Sequence, residues 1–260
     1  KYIERDMNKS IHYLTLAANQ NDPIAQNLLG IIYSEGKYIE RDMNKSIHYF
    51  TLAANQNYPN SQYSLGFIYF EGKYIERDMN KSIHYLTLAA NQNDPNAQNL
   101  LGIIYSEGKY IERDMNKSIH YFTLAANQNY PNSQYSLGFI YFEGKYIERD
   151  MNKSIHYLTL AANQNDPNAQ NLLGCIYYEG KYIERDMNKS IHYFTLSANQ
   201  NHPIAQYNLG FIYYEGKYIK RDMNKFIHYL TLAANQNHPI AQYNLGFVYY
   251  EGKYIERDMN

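Results

Sequence analysis

Between Met43 and Asn55 the small or apolar residues Met43, Ser46, Ile47, Phe50, Ala53 and Ala54 recur at spacings of three and four, with polar Asn44, Lys45 and His48 between them. That is the period of one buried stripe on an α-helix. The stretch Pro23–Glu35 behaves the same way: on a wheel of about 100° per residue, Ala25, Leu29, Ile32, Tyr33 and Gly36 share one arc, the expected core face. Local signals bound both segments. Asp22 can accept from free amides at a helix start, Pro23 brings a helical φ to the first turn, and Gly36 can take the left-handed conformation that ends a helix. "KYIERD", Lys37 to Asp42, then reads as a loop whose last residue caps the next helix, and Asn57 can end that helix in a left-handed conformation. The expectation is a hairpin of helix A, Pro23–Glu35, and helix B, Met43–Asn55. Gly30 falls mid-helix, where Gly costs about 1 kcal/mol relative to Ala; the expected compensation is close approach of a neighbouring helix.

The pattern returns every 36 residues, with units starting at Lys1, Lys37, Lys73, Lys109, Lys145, Lys181 and Lys217 and a partial unit at 253–260. Such a period means one helical hairpin per unit, each unable to cover its apolar face until neighbours stack on it. The expected architecture is all-α, a single array over 1–260. The chain begins and ends inside the same motif, so it reads as an excerpt of a longer one.

Composition narrows the function. With 24 Lys and Arg against 25 Asp and Glu, no excess charge is available to neutralise phosphates or anionic lipid, which argues against nucleic-acid partners. No apolar run approaches the ~18 residues of a membrane span, so no insertion is expected in this region. The single cysteine, Cys175, excludes an intramolecular disulfide framework.

The order A-x-x-x-L-G-x-x-Y-x-x-G, loop, D-x-x-K-x-x-x-Y-x-x-x-A-A, carried by Ala25, Leu29, Gly30, Tyr33, Gly36, Asp42, Lys45, Tyr49, Ala53 and Ala54, resembles the Sel-1-like repeat, a relative of the tetratricopeptide repeats. The resemblance covers the whole chain and implies a right-handed αα-hairpin superhelix of seven repeats acting as an adaptor. Three departures stand out: Ser46 where the family usually has Ala, Asn21 for Gly, and Phe226 at the position of Ser46 in the last unit.

The resemblance also assigns a binding face. In tetratricopeptide relatives the helix A positions equivalent to 24, 27, 31 and 34 line a concave groove that holds peptides. They read Ile24, Asn27, Ile31 and Ser34 in one unit and Asn60, Tyr63, Phe67 and Phe70 in the next. Later units place Asn132, Tyr135, Phe139 and Phe142, then Tyr178, then Tyr207, Phe211 and Tyr214, and finally Tyr243, Phe247 and Tyr250 on the same face. Aromatic anchors and amides without charge suit a partner helix or an extended apolar segment. The expected function is a non-catalytic scaffold that binds a protein or peptide there. The alternative is a regulatory array beside a catalytic domain, such as a kinase, outside these residues.

Other candidates are weaker. The histidines at 12, 48, 84, 120, 156, 192 and 228 form a ladder on helix B whose rungs, about 10 Å apart by helix packing, cannot share one ion needing ligands at about 2 Å. His202 and His238 precede Pro203 and Pro239 and read as helix-start residues. "NKS" at Asn8, Asn44, Asn80, Asn116, Asn152 and Asn188 fits a glycosylation pattern, with compositional accident the simpler reading. An enzyme of the cysteine-rich, β-lactam-binding type would need paired cysteines that this chain lacks. No catalytic residue, cofactor or metal is assigned. A cytoplasmic location is favoured over the ER lumen, and a fragment with uncapped terminal helices is expected to self-associate.

Overall fold

The computed structural model describes residues 6–252. The opening of the first unit and the partial unit at 253–260 lie outside the described residues. Fourteen helices of thirteen residues, and no strands, occupy the described part: α1 (Met7–Asn19), α2 (Pro23–Glu35), α3 (Met43–Asn55), α4 (Pro59–Glu71), α5 (Met79–Asn91), α6 (Pro95–Glu107), α7 (Met115–Asn127), α8 (Pro131–Glu143), α9 (Met151–Asn163), α10 (Pro167–Glu179), α11 (Met187–Asn199), α12 (Pro203–Glu215), α13 (Met223–Asn235) and α14 (Pro239–Glu251). Helix A is every even-numbered helix and helix B every odd-numbered one. The chain divides into two compact units, Lys1–Ser133 and Gln134–Asn260.

The caps form as the sequence requires. In the first unit, Asp42 Oδ1 accepts from Lys45 N at 3.0 Å, and that backbone bond is the main reason its carboxyl sits below the usual range. Gly36 (φ 62°) and Asn57 (φ 62°) are left-handed. The loop folds back on helix A, Asp42 N donating to Tyr33 O at 3.0 Å. Arg41 of the same loop serves the end of α2. Its Nε and Nη2 donate to Ser34 O and Glu35 O at 2.8 and 3.0 Å, where the last carbonyls of α2 lack intrahelical partners. Its guanidinium also lies 4.4 Å from the centre of the Tyr74 ring in the next loop.

The closest packing joins each helix A to the helix B that follows it, as in α2 with α3 and α4 with α5. A Cβ on Gly30 would lie 2.6 Å from the Phe50 ring, so the glycine exists to seat that ring. Ser46 Oγ, fully buried, donates to Gly30 O at 2.8 Å. The serine that replaces the family's alanine is thus a second tie at the same crossing.

Successive hairpins are joined by buried amides that the helical wheel does not mark as core. Gln26 Nε2 donates to Ala18 O at 3.0 Å and its Oε1 accepts from Gln56 at 2.8 Å, linking α1, α2 and α3. The second unit repeats the geometry: Gln170 donates to Ala162 O at 3.1 Å and accepts from Gln200 at 2.7 Å. Among the described residues no buried side-chain nitrogen or oxygen lacks a partner, which matters because an orphaned buried amide costs about 1–3 kcal/mol. Phe226 changes the last crossing. It is buried against Tyr214, ring centres 4.9 Å apart, and it has no hydroxyl to reach Gly210 O. The nearest atom to a Cβ on Gly210 is Tyr229 Cβ at 3.2 Å, a looser seat than the 2.6 Å at Gly30.

Candidate partner-binding face

Helix A buries Ala25, Leu29 and Gly30 and turns the opposite arc outward. Not every residue on that arc is free. Asn27 is buried, and its Oδ1 accepts from Ser61 Oγ of α4 at 2.8 Å; Asn99 does the same for Ser133 at 2.8 Å. This corrects the placement of Asn27 on the groove face: it ties one helix A to the next. The reason is chemical, since two short polar side chains facing each other across packed helices satisfy one another and exclude water.

The aromatic positions divide into two kinds. Tyr63 and Phe70 are half-buried and pack against the α5–α6 core, as do Tyr135 and Phe142, Tyr178 and Tyr207 against the cores that follow them. Burial accordingly pushes the Tyr63 and Tyr135 hydroxyls up. Tyr178, desolvated and donating to Glu215 Oε2 at 2.9 Å, is pushed up to about 12. Phe67, Phe139, Phe211 and Phe247 are exposed, from 36% to 54%, as are Tyr214, Tyr243 and Tyr250. Asn60 and Asn132 are exposed in the first turns of α4 and α8.

Phe67, Phe211, Tyr214 and Phe247 border clefts. One of about 260 Å³ has Ile31 and Ser34 on α2, Tyr63 and Phe67 on α4 and Phe50 of α3 in its lining. The Tyr63 and Phe67 rings stack at 6.1 Å. In the second unit a cleft of about 210 Å³ lies among Cys175, Tyr178, Phe194 and Phe211, and another of about 350 Å³ among Phe211, Tyr214, Phe226 and Phe247. Helix A side chains line each one together with a helix B ring. Glu35 and Glu71 line the first cleft, Glu179 the second and Glu251 the third. The Cys175 thiol is held up at about 11 by burial, which keeps it protonated and a poor nucleophile at neutral pH.

The remaining candidates take simple places. The ladder histidines are exposed on helix B, each edge-on to its neighbouring tyrosine, as His48 to Tyr49 at 5.3 Å. His202 and His238 cap α12 and α14, Nδ1 accepting from Ala205 N and Ala241 N at 3.2 Å. Asn44 of the "NKS" in α3 is exposed, whereas Ser46 is committed to Gly30 O. No helix among the described residues is long and apolar enough to cross a membrane.

The Sel1 repeat matches residues 1–22, 23–58, 59–94, 95–130, 131–166, 167–202, 203–238 and 239–260. This frame opens each full repeat at helix A. No curated protein matches the chain. A solved structure of a protective antigen from uropathogenic Escherichia coli strains, described as displaying an SLR fold, is 30% identical with a TM-score of 0.88 over 93% of this chain. The chain spans 52% of that protein's length. A Sel1 repeat protein from Oxalobacter formigenes is 31% identical with a TM-score of 0.81, covering 96% of this chain and 73% of its own. Repeat proteins of this kind are typically protein-interaction scaffolds and generally non-catalytic. With its repeat matches tiling residues 1–260 and its hairpins built on one recurring glycine crossing, this chain belongs to the Sel1 repeat family.

Proposed function

We propose that the chain is a non-catalytic scaffold whose helix A faces hold an apolar segment of a partner protein, its side chains entering the clefts beside Phe67, Phe211 and Phe247. The observation that carries this reading is the recurrence of solvent-open aromatic clefts, each lined jointly by helix A side chains and a helix B ring. Aromatic rings supply large contact area at low entropy cost, and concave apolar sites are where binding energy concentrates. Among the cleft-lining residues the carboxylates of Glu35, Glu71, Glu179 and Glu251 outnumber the one cation, Lys73, which favours a segment with Lys or Arg beside its apolar side chains.

The test is selection of peptides from a random displayed library on the wild-type chain, followed by binding to the variant Phe67→Ser, Phe139→Ser, Phe211→Ser and Phe247→Ser. Enriched peptides are expected to carry aromatic or leucine residues beside a basic one. They are expected to lose at least tenfold in affinity on the variant while its helical circular dichroism stays unchanged. Peptides that bind both proteins equally contradict the reading.

A further inference from the structure

We propose that the cleft between α11, α12 and the start of α13 binds a phosphate monoester carried on an apolar or aromatic stem. Lys220, Arg221 and Lys225 line this cleft of about 590 Å³, and Asp222 is the one carboxylate among its described lining residues. The equivalent cleft one repeat earlier, of about 450 Å³, is lined by Glu184, Arg185, Asp186 and Lys189, two charges of each sign. One substitution makes the difference. The loop position held by Lys220 is glutamate in every other copy of the loop, Glu184 among them, so a single repeat reverses the charge at this place.

A second change releases the neighbouring lysine. The other helix B lysines pair with the aspartate that caps their own helix, as Lys189 with Asp186 at 3.5 Å. Among the described residues Lys225 forms no such pair with Asp222, and its Nζ donates instead to the Tyr213 hydroxyl at 3.4 Å. Asp222 Oδ1 accepts from Lys225 N at 2.9 Å, so that amide is already capped and the positive charge of the cleft comes from side chains. Lys220, Arg221 and Lys225 are all exposed and can meet an incoming anion. Three cations against one carboxylate leave two positive charges on the lining, which matches a phosphate monoester of about −1.5 to −2 at neutral pH better than a single carboxylate. Ammonium and guanidinium groups both make charge-assisted hydrogen bonds to phosphate oxygens. Ile191, Ile219 and Tyr213 supply apolar walls, which a bare ion does not need and a stem does. The size falls within the range of about 300–1,000 Å³ common for small-ligand sites. The cleft shares no residue with the aromatic clefts on helix A, so it is separate from the partner-binding face.

Calorimetric titration of the 260-residue chain with phenyl phosphate tests the site. The wild type is expected to bind it, and to bind inorganic phosphate about tenfold more weakly for want of a buried stem. Lys220→Glu restores the residue of the other loops, so it is expected to keep the wild-type circular dichroism while losing affinity for phenyl phosphate by about tenfold, the size of one lost charge-assisted hydrogen bond. Lys225→Met is expected to lose affinity as well, whereas Lys189→Met, in the charge-balanced cleft, is expected to leave it unchanged. A hexapeptide with a central phosphotyrosine separates the two sources of such a group: binding tighter than that of phenyl phosphate places the monoester on a protein side chain, and weaker binding places it on a small molecule. A wild type that binds neither probe overturns the proposal, as does a Lys220→Glu variant of unchanged affinity. Inorganic phosphate that binds as tightly as phenyl phosphate overturns the assignment of a stem.

Discussion

Glycine carries the packing of this protein at the scale of single residues. Gly102 faces Phe122 ring carbons that a Cβ would approach to 2.6 Å, and Phe122 is itself buried. Helix propensity favours Gly102→Ala by about 1 kcal/mol, whereas forcing a methyl into a filled core costs about 1–3 kcal/mol. The clash is expected to win, so Gly102→Ala should lower the thermal midpoint. Gly246→Ala, where nothing lies within 4 Å, should raise the midpoint of the dilute chain. Equal shifts of the same sign at both positions would contradict the assignment of Gly102 as a seat for Phe122. The sequence carried half of this inference: a glycine inside a helix signals close approach, but the ring that approaches it lies in a different helix.

Helix boundaries were legible because their causes are local. Asp42, Gly36 and Asn57 act on backbone groups within a turn of themselves, and the bounds Pro23–Glu35 and Met43–Asn55 follow from them. Gln26 and Asn27 were not legible, because their burial depends on Gln56 and Ser61, which are 30 and 34 residues away. The helix A aromatics share one face in the sequence pattern. Its division into half-buried Tyr63 and exposed Phe67 was not, since that is set by how the next hairpin seats. The start of α12 carries a pH dependence. His202 replaces the aspartate that caps α10, accepts through Nδ1 from Ala205 N, and lies 3.2 Å from Asn168 Oδ1 through Nε2. Burial lowers its pKa from 6.5, against the opposing pull of Asp166. A lowered value in the folded state means that the cap is fully present above about 6.5 and is lost as pH falls through the folded value. His202→Asp keeps a capping oxygen down to about pH 4. The variant is therefore expected to gain stability relative to wild type, by up to about 1 kcal/mol, as pH is lowered from about 7 to 5. A difference between their thermal midpoints that does not change over that range would contradict the cap assignment.

At the scale of the whole molecule, one arc of helix A is used for cohesion within and between hairpins, and the proposed function uses what remains exposed. Stability in such arrays is roughly a sum of repeat and nearest-neighbour terms, so polar substitutions on the exposed arc leave cohesion largely intact. The loops offer a competing exposed surface, with Tyr110 and Tyr182 each beneath the arginine of the preceding loop at 4.0 and 4.1 Å. The most direct measurement compares, by fluorescence anisotropy of one library-selected peptide, the affinities of the wild type, the four-phenylalanine variant on helix A and a loop variant with Tyr110 and Tyr182 changed to Ser. The account expects the helix A variant alone to lose binding by tenfold or more; loss in the loop variant with full affinity in the helix A variant would contradict it.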